Sequence, residues 1–115
     1  MTLNEYQAQA MTTCLPESEN FSYMMLNLVG EVGEFAGKVA KAIRKGKAGI
    51  DADNLLFDID YGTDELRKEA GDILWQLSGL CSVMGWRLED VAQQNLDKLA
   101  DRKQRQVIDG SGDNR

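Results

Sequence analysis

From Phe21 to Arg44 the chain runs without a proline, and its large apolar side chains recur at helical spacing. Wound at about 100° per residue, Phe21, Met24, Met25, Leu28, Val32, Phe35, Val39 and Ile43 fall on one side. A second such stripe follows: Leu66, Ala70, Ile73, Leu74, Leu77, Leu80, Cys81 and Met84. Long helices with one apolar face each can bury those faces only against other helices, so the spacing predicts an all-α bundle. No stretch of consequence alternates with period two, and strands are not expected.

Local signals place the ends of these helices. Thr2-Leu3-Asn4-Glu5 matches a capping box, which starts a first helix running from Leu3 to about Thr13. Pro16 and its polar followers form a connection to the helix of Phe21 to Arg44. Lys41, Arg44, Lys45 and Lys47 suit the negative end of that helix dipole, and Gly46 can stop it. Gly46 to Gly62 is weakly patterned, with a short turn expected around Asn54 to Phe57. A third helix runs from Thr63 to Met84 and ends at Gly85. A fourth covers Glu89 to Arg105, with a thinner stripe of Leu88, Val91, Ala92, Leu96 and Leu99. The chain reads as one domain over residues 1–108 with a polar tail, 109–115, that taken alone is flexible.

Composition excludes whole classes of chemistry. There is no histidine, so Ser-His triads, imidazole general bases and His-ligated zinc are ruled out. Cys14 and Cys81 stand far apart and outside any metal-ligand spacing, which suits free thiols in a reducing compartment. Any metal site must therefore use oxygen donors and a hard cation. The formal net charge of −6 argues against a general nucleic-acid or anionic-membrane binder. The apolar run from Ile73 to Trp86 is too short and too polar to span a bilayer, and the cytoplasm is the expected location.

Two acidic pairs stand out against this background. Glu31 and Glu34 are three residues apart on the second helix, and Glu69 and Asp72 are three apart on the third. Each pair lies roughly 60° to 120° from its own stripe centre, on the same rotational side. If the two helices pack side by side, four carboxylates converge, repel one another and raise their pKa values unless a divalent cation such as Mg²⁺ or Mn²⁺ sits among them. Read without a metal, the same residues are ordinary surface acids, with Glu34 and Lys38 a favourable pair four residues apart.

The same segment, LVGEVGEFAGK, carries Gly30, Gly33 and Gly37 on the back of its helix. Each costs roughly 1 kcal/mol against alanine there. Gly71, Ser78, Gly79 and Ser82 occupy the back of the third helix, around Trp75. Small residues on a face allow close backbone approach, so a second packing surface is expected, against another helix of the chain or a second subunit. Trp75 is then either a plug in that surface or a stacking platform for a base. On the fourth helix Asn95, Lys98, Arg102 and Arg105 share a face, either as a solvated surface or as donors to phosphate oxygens.

Taken together, these residues resemble the MazG-like nucleotide pyrophosphohydrolases. Gly30-Glu31-Val32-Gly33-Glu34 with Lys38 matches that family's E-x-x-E helix. Glu69-Ala70-Gly71-Asp72-Ile73-Leu74-Trp75 matches its E-x-x-D helix. Asn95-Leu96-Asp97-Lys98-Leu99-Ala100-Asp101-Arg102 is similar to its later N-x-x-K-L-x-x-R helix. The likeness spans residues 3 to 105. It implies a four-helix-bundle-like fold assembled as a dimer or a dimer of dimers, dependent on Mg²⁺, with Mn²⁺ as a substitute. It also implies hydrolysis of a ribo- or deoxyribonucleoside triphosphate to the monophosphate and pyrophosphate, by metal-activated water attack at the α-phosphorus.

Carried across, the resemblance makes Glu31, Glu34, Glu69 and Asp72 metal ligands, with Glu34 the acceptor of the water's proton. Lys98 and Arg102 would bind phosphates, with Lys38 beside them. Asn95 would orient the nucleotide or the metal shell. Trp75, on its reading as a stacking platform for a base, is a further candidate for substrate binding.

The chain departs from the family in two places. Many members have a further Glu where this one has Gly30. The usual aromatic and glycine ending after the Arg is replaced by KQRQVIDGSGDNR. Two other classes of function stay compatible with the residues: a non-catalytic helical dimerisation module, and a nucleotide- or metal-binding module without turnover.

Overall fold

A computed structural model of the chain describes residues 1–50, 55–57 and 63–115. Helix α1 spans Leu3–Met11, a single 3-10 turn covers Pro16–Ser18, and α2 spans Phe21–Arg44. Strands β1, Ala48–Ile50, and β2, Leu55–Phe57, precede α3, Asp64–Val83, and α4, Leu88–Gln104. The helical class and all four helices follow the sequence expectation to within two residues at each end.

The ends form for local reasons. Thr2 Oγ1 accepts the Glu5 N–H at 3.0 Å and caps α1. Asn20 Oδ1 accepts the Tyr23 N–H at 2.9 Å and caps α2. Gly46 and Gly85, at φ +71° and +74°, terminate α2 and α3. Beyond each, an N–H closes back on the helix: Lys47 to the Ala42 carbonyl and Trp86 to the Cys81 carbonyl, both at 2.8 Å.

Strands were not expected, yet β1 and β2 pair as an antiparallel hairpin in the register Ala48↔Phe57, Gly49↔Leu56, Ile50↔Leu55. Three residues on each side are too few to show an alternating pattern, and the pairing partner rather than the local sequence defines them. The expected turn at Asn54 to Phe57 is replaced by β2 from Leu55 onward, while Asn54 lies outside the described residues.

Helices α2 and α3 form the backbone of the molecule, packed antiparallel. Met24 lies against Gly79, where a Cβ would overlap Met24 Sδ and Cε. Helix α1 is pinned across α3 by the Trp75 indole N–H, which is 3.1 Å from the Ala10 carbonyl and 2.9 Å from Thr13 Oγ1. Helix α1 in turn caps α4. Gln7 Oε1 accepts the Leu88 N–H at 2.8 Å, and Asn4 Oδ1 accepts the Glu89 N–H at 3.2 Å. These bonds satisfy donors that every helix start leaves open and fix where α4 departs.

The core is thin. Met24, Ala42, Leu66, Cys81 and Leu88 are the buried hydrophobic residues among those described. The two apolar stripes are only half used, because α2 and α3 meet on faces rotated toward the acidic shoulders. Phe21, Met25, Val32 and Ile43 of the first stripe and Leu74, Leu77 and Met84 of the second remain exposed. The Cα radius of gyration is 17.4 Å, against about 13–14 Å for a compact domain of this length. The glycine face of α2 is equally bare: among the described residues a Cβ at Gly33 or Gly37 would meet nothing within 4 Å, and Gly71 on α3 is likewise open. No other helix of the described chain supplies the packing surface that these small residues suggest.

Candidate active site

Three turns of the α2–α3 seam carry polar groups in order. First, Asn27 Nδ2 donates to Gln76 Oε1 at 2.8 Å, while Gln76 Nε2 points at Met24 Sδ at 3.2 Å. Next, Glu31 meets Glu69 and Asp72, each offering a carboxylate oxygen within 4.8 Å of the other two. Finally, Lys38 Nζ lies 2.8 Å from Glu69 Oε1 and 3.5 Å from Glu65 Oε2. The antiparallel packing produces this order, since residues ascending α2 face residues descending α3. Glu31 and the Glu69–Asp72 pair therefore arrive at the same level.

The cluster is electrostatically loaded. Glu69 is buried, Glu31 is half-buried and Asp72 is exposed. Burial pushes the Glu31 carboxyl above its usual range, and the charges of Asp72, Glu69 and Glu34 push it further. Only the Asn27 amide, at 3.5 Å, favours its ionised form. Lys38 is held protonated above the ordinary lysine range, first by its hydrogen bond to Glu69. Of the three clustered carboxylates, Lys38 thus pairs with Glu69. On α1, the Tyr6 phenol is raised by burial and then by the Asp72 charge, which places it at the edge of the cluster.

Glu34 stands apart from the three-carboxylate group. It is exposed and lines a shallow cleft of about 470 Å³ with Gly30, Gly33, Gly37, Lys38 and Lys41. The pairing of Glu34 with Lys38 read from the sequence gives way to Lys38 bridging to α3. Trp75 is half-buried against α1, and its N–H is already engaged there.

Asn95, Lys98 and Arg102 lie on α4 and make no bond to the three carboxylates; Lys98 and Arg102 pair with Asp113 instead. Asn95 and Lys98 line an open cleft of about 750 Å³ with Val91, Gln94, Asp97 and Asp113. Asp113 Oδ1 is 3.0 Å from both Lys98 Nζ and Arg102 Nη2. The residues that sequence reasoning passed over are Tyr6, Asn27, Gln76 and Asp113. Asn27 precedes Glu31 by four positions and Gln76 follows Asp72 by four, so helical spacing already put them beside the acids.

The donor set suits a hard divalent cation. Oxygen ligands from Glu31, Glu69 and Asp72 converge, none is a histidine or thiolate, and Glu31 sits in a state that added positive charge would relieve.

A model of the MazG nucleotide pyrophosphohydrolase domain matches residues 19–107, which hold both acidic pairs and the basic helix. The chain belongs to the MazG family. It is 42% identical over 97 residues to the Gene 37 protein of Mycobacterium phage L5, covering 84% of this chain and 78% of that one. It also shares its fold with the crystal structure of iMazG from Vibrio DAT 722. That match has a TM-score of 0.53 and 25% identity, and covers 90% of this chain and 97% of the other. The MazG family is in general dependent on divalent metals, and in this member the carboxylates that converge are Glu31, Glu69 and Asp72. No helix of the described residues is long and apolar enough to cross a membrane.

Proposed function

We propose that this MazG protein is a Mg²⁺-dependent hydrolase that splits ribo- or deoxyribonucleoside triphosphates into the monophosphate and pyrophosphate. The observation that carries the reading is the convergence of Glu31, Glu69 and Asp72 at one level of the α2–α3 seam, with a single ammonium beside them. These three residues would hold the ion, with Mn²⁺ able to replace it. Bound there, the ion would supply charge neutralisation at the phosphate oxygens and a water of lowered pKa.

The other roles fall to the chain's own side chains. Glu34 stands outside the ligand cluster but close enough for its charge to act on Glu31. A carboxylate so placed can accept the proton of the attacking water. Lys38 steadies Glu69 and offers a positive charge to an incoming phosphate. Lys98 and Arg102 bind phosphate oxygens, and Asn95 orients the nucleotide from the same helix. Trp75 braces α1 against α3 behind the site.

The site is completed in an assembly. Phe21, Met25, Val32, Ile43, Leu74, Leu77 and Met84 stay exposed on α2 and α3, the two helices that carry the cluster, and the chain is more open than a compact domain of its length. A second copy of the chain, as a dimer or a dimer of dimers, is the occupant that fits. Nucleic acid and membrane are not partners of so acidic a chain.

Two observations favour a second reading, a nucleotide- or metal-binding module without turnover. Gly30 leaves no carboxylate at the position before Glu31, and Lys38 already occupies Glu69. The deciding experiment is pyrophosphate release from a panel of ribo- and deoxyribonucleoside triphosphates, with and without Mg²⁺, beside Glu34→Gln. Metal-dependent release that the variant loses supports the hydrolase. Folded, metal-loaded protein that releases nothing from any nucleotide leaves the binding module.

A further inference from the structure

Sequence alone predicts a flexible tail over residues 109–115, but they fold back along α4. Gln106 turns the chain at φ +58°, with the Val107 N–H closing on the Arg102 carbonyl at 2.9 Å. A non-glycine residue in that region is uncommon and has to be held there by its surroundings. Gly112 makes a second reversal at φ +80°. Gly110 leaves room for the Arg115 side chain: a Cβ there would lie 2.7 Å from Arg115 Cδ. Arg115 in turn donates to the carbonyls of Val107, Ile108 and Gly112. Arg105 holds the Arg115 carbonyl. Two reversals, a glycine clearance and an arginine wrapped round three carbonyls make this a built turn.

What the turn delivers is a carboxylate. Asp113 Oδ1 sits 3.0 Å from Lys98 Nζ and 3.0 Å from Arg102 Nη2. The Gly112 and Asp113 carbonyls also face Arg102, at 3.5 and 3.2 Å. Arg102 is 4% exposed, although α4 lies on the outside of the molecule; the tail is part of what covers it. Asp113 itself is largely exposed and lines the same cleft as Asn95 and Lys98. An oxyanion bridging a lysine and an arginine is the arrangement that a phosphate oxygen would take on those two side chains.

We propose that residues 109–115 form a strap whose Asp113 carboxylate occupies the cation pair Lys98–Arg102 as an internal competitor of the polyphosphate. The strap must lift before a triphosphate can engage α4. This rests on the reading of Lys98 and Arg102 as phosphate-binding residues. Occupancy by the strap lowers the apparent affinity by the fraction of molecules in which it is open.

The test is calorimetric titration of the full chain, metal-free and at low salt, with inorganic tripolyphosphate. Asp113→Asn should bind roughly threefold to tenfold more tightly than the parent chain. Arg115→Ala, which loosens the strap without touching the cation pair, should shift in the same direction. Lys98→Ala combined with Asp113→Asn should lose the gain. Pyrophosphate release by the Asp113→Asn and Arg115→Ala proteins should show a lower KM with kcat unchanged.

Asp113→Asn and Arg115→Ala binding no more tightly than the parent overturns the strap. A tightening that the added Lys98→Ala leaves intact overturns it too. Tighter tripolyphosphate binding without hydrolysis by any of the proteins leaves the strap standing and defeats the hydrolase reading. Hydrolysis by all of them with no affinity shift does the reverse.

Discussion

Replacing Glu31 by glutamine should stabilise the metal-free protein. Its carboxylate oxygen lies within 4.8 Å of those of Glu69 and Asp72. At that separation one like-charge pair costs about 0.9 kcal/mol in water and about 3.5 kcal/mol at an effective dielectric of 20. Glu31 is only half-buried and Lys38 offsets part of the Glu69 charge, so a net relief of about 1–2 kcal/mol is the reasonable figure. For a domain of this size that is a rise in melting temperature of roughly 5–10 °C. A glutamine keeps an oxygen for the Asn27 amide, so the weak hydrogen bond there need not be lost.

The pH dependence carries the same signature. Glu31 has its carboxyl raised in the folded chain, so the native state holds that proton more tightly than the unfolded one. Stability of the metal-free protein should therefore fall as pH rises from the ordinary carboxylate range through the raised value, and level off above it. Glu31→Gln should flatten that slope. Mg²⁺ should raise the melting temperature of the parent chain at neutral pH and do little for the variant. The assay is thermal unfolding by circular dichroism across pH, with Mg²⁺ and with chelator. A variant that melts lower than its parent in chelator, or gains as much from Mg²⁺, refutes the idea that repulsion among these carboxylates is what the ion relieves.

Gly79→Ala should destabilise the chain by about 1–2 kcal/mol in chemical denaturation, because the new Cβ overlaps Met24 Sδ and Cε and forces a fully buried side chain to shift. Combining it with Met24→Ala should recover part of that loss. Gly33→Ala and Gly37→Ala meet no atom of the described residues, so a packing role for that face is expected to come from a second copy. Either change should weaken assembly in sedimentation; a gain of about 1 kcal/mol per site with assembly and activity intact defeats the close-packing idea.

The helices were legible because their signals are local. Thr2 and Asn20 at the starts, Gly46 and Gly85 at the ends, and apolar residues at helical spacing all act within a turn or two. The common level of Glu31, Glu69 and Asp72 was legible for the same reason, once two long helices were set side by side. Which part of each stripe would be buried was not legible. Val32 and Leu77 look as core-like in sequence as Leu66, and only the rotation of α2 against α3 separates them. The placement of Glu34 outside the cluster follows from that rotation too. The hairpin and the tail escaped because each depends on a distant partner: β1 on β2, and Asp113 on Lys98 and Arg102, 15 and 11 positions earlier.

The most direct test of the metal centre is anomalous diffraction from crystals grown with Mn²⁺ and a non-hydrolysable nucleoside triphosphate analogue. A manganese peak is expected within coordination distance of carboxylate oxygens from Glu31, Glu69 and Asp72, with the nucleotide's phosphates reaching it. Manganese bound elsewhere, with Glu69 still paired to Lys38 and no ion among the three carboxylates, would contradict the proposed centre.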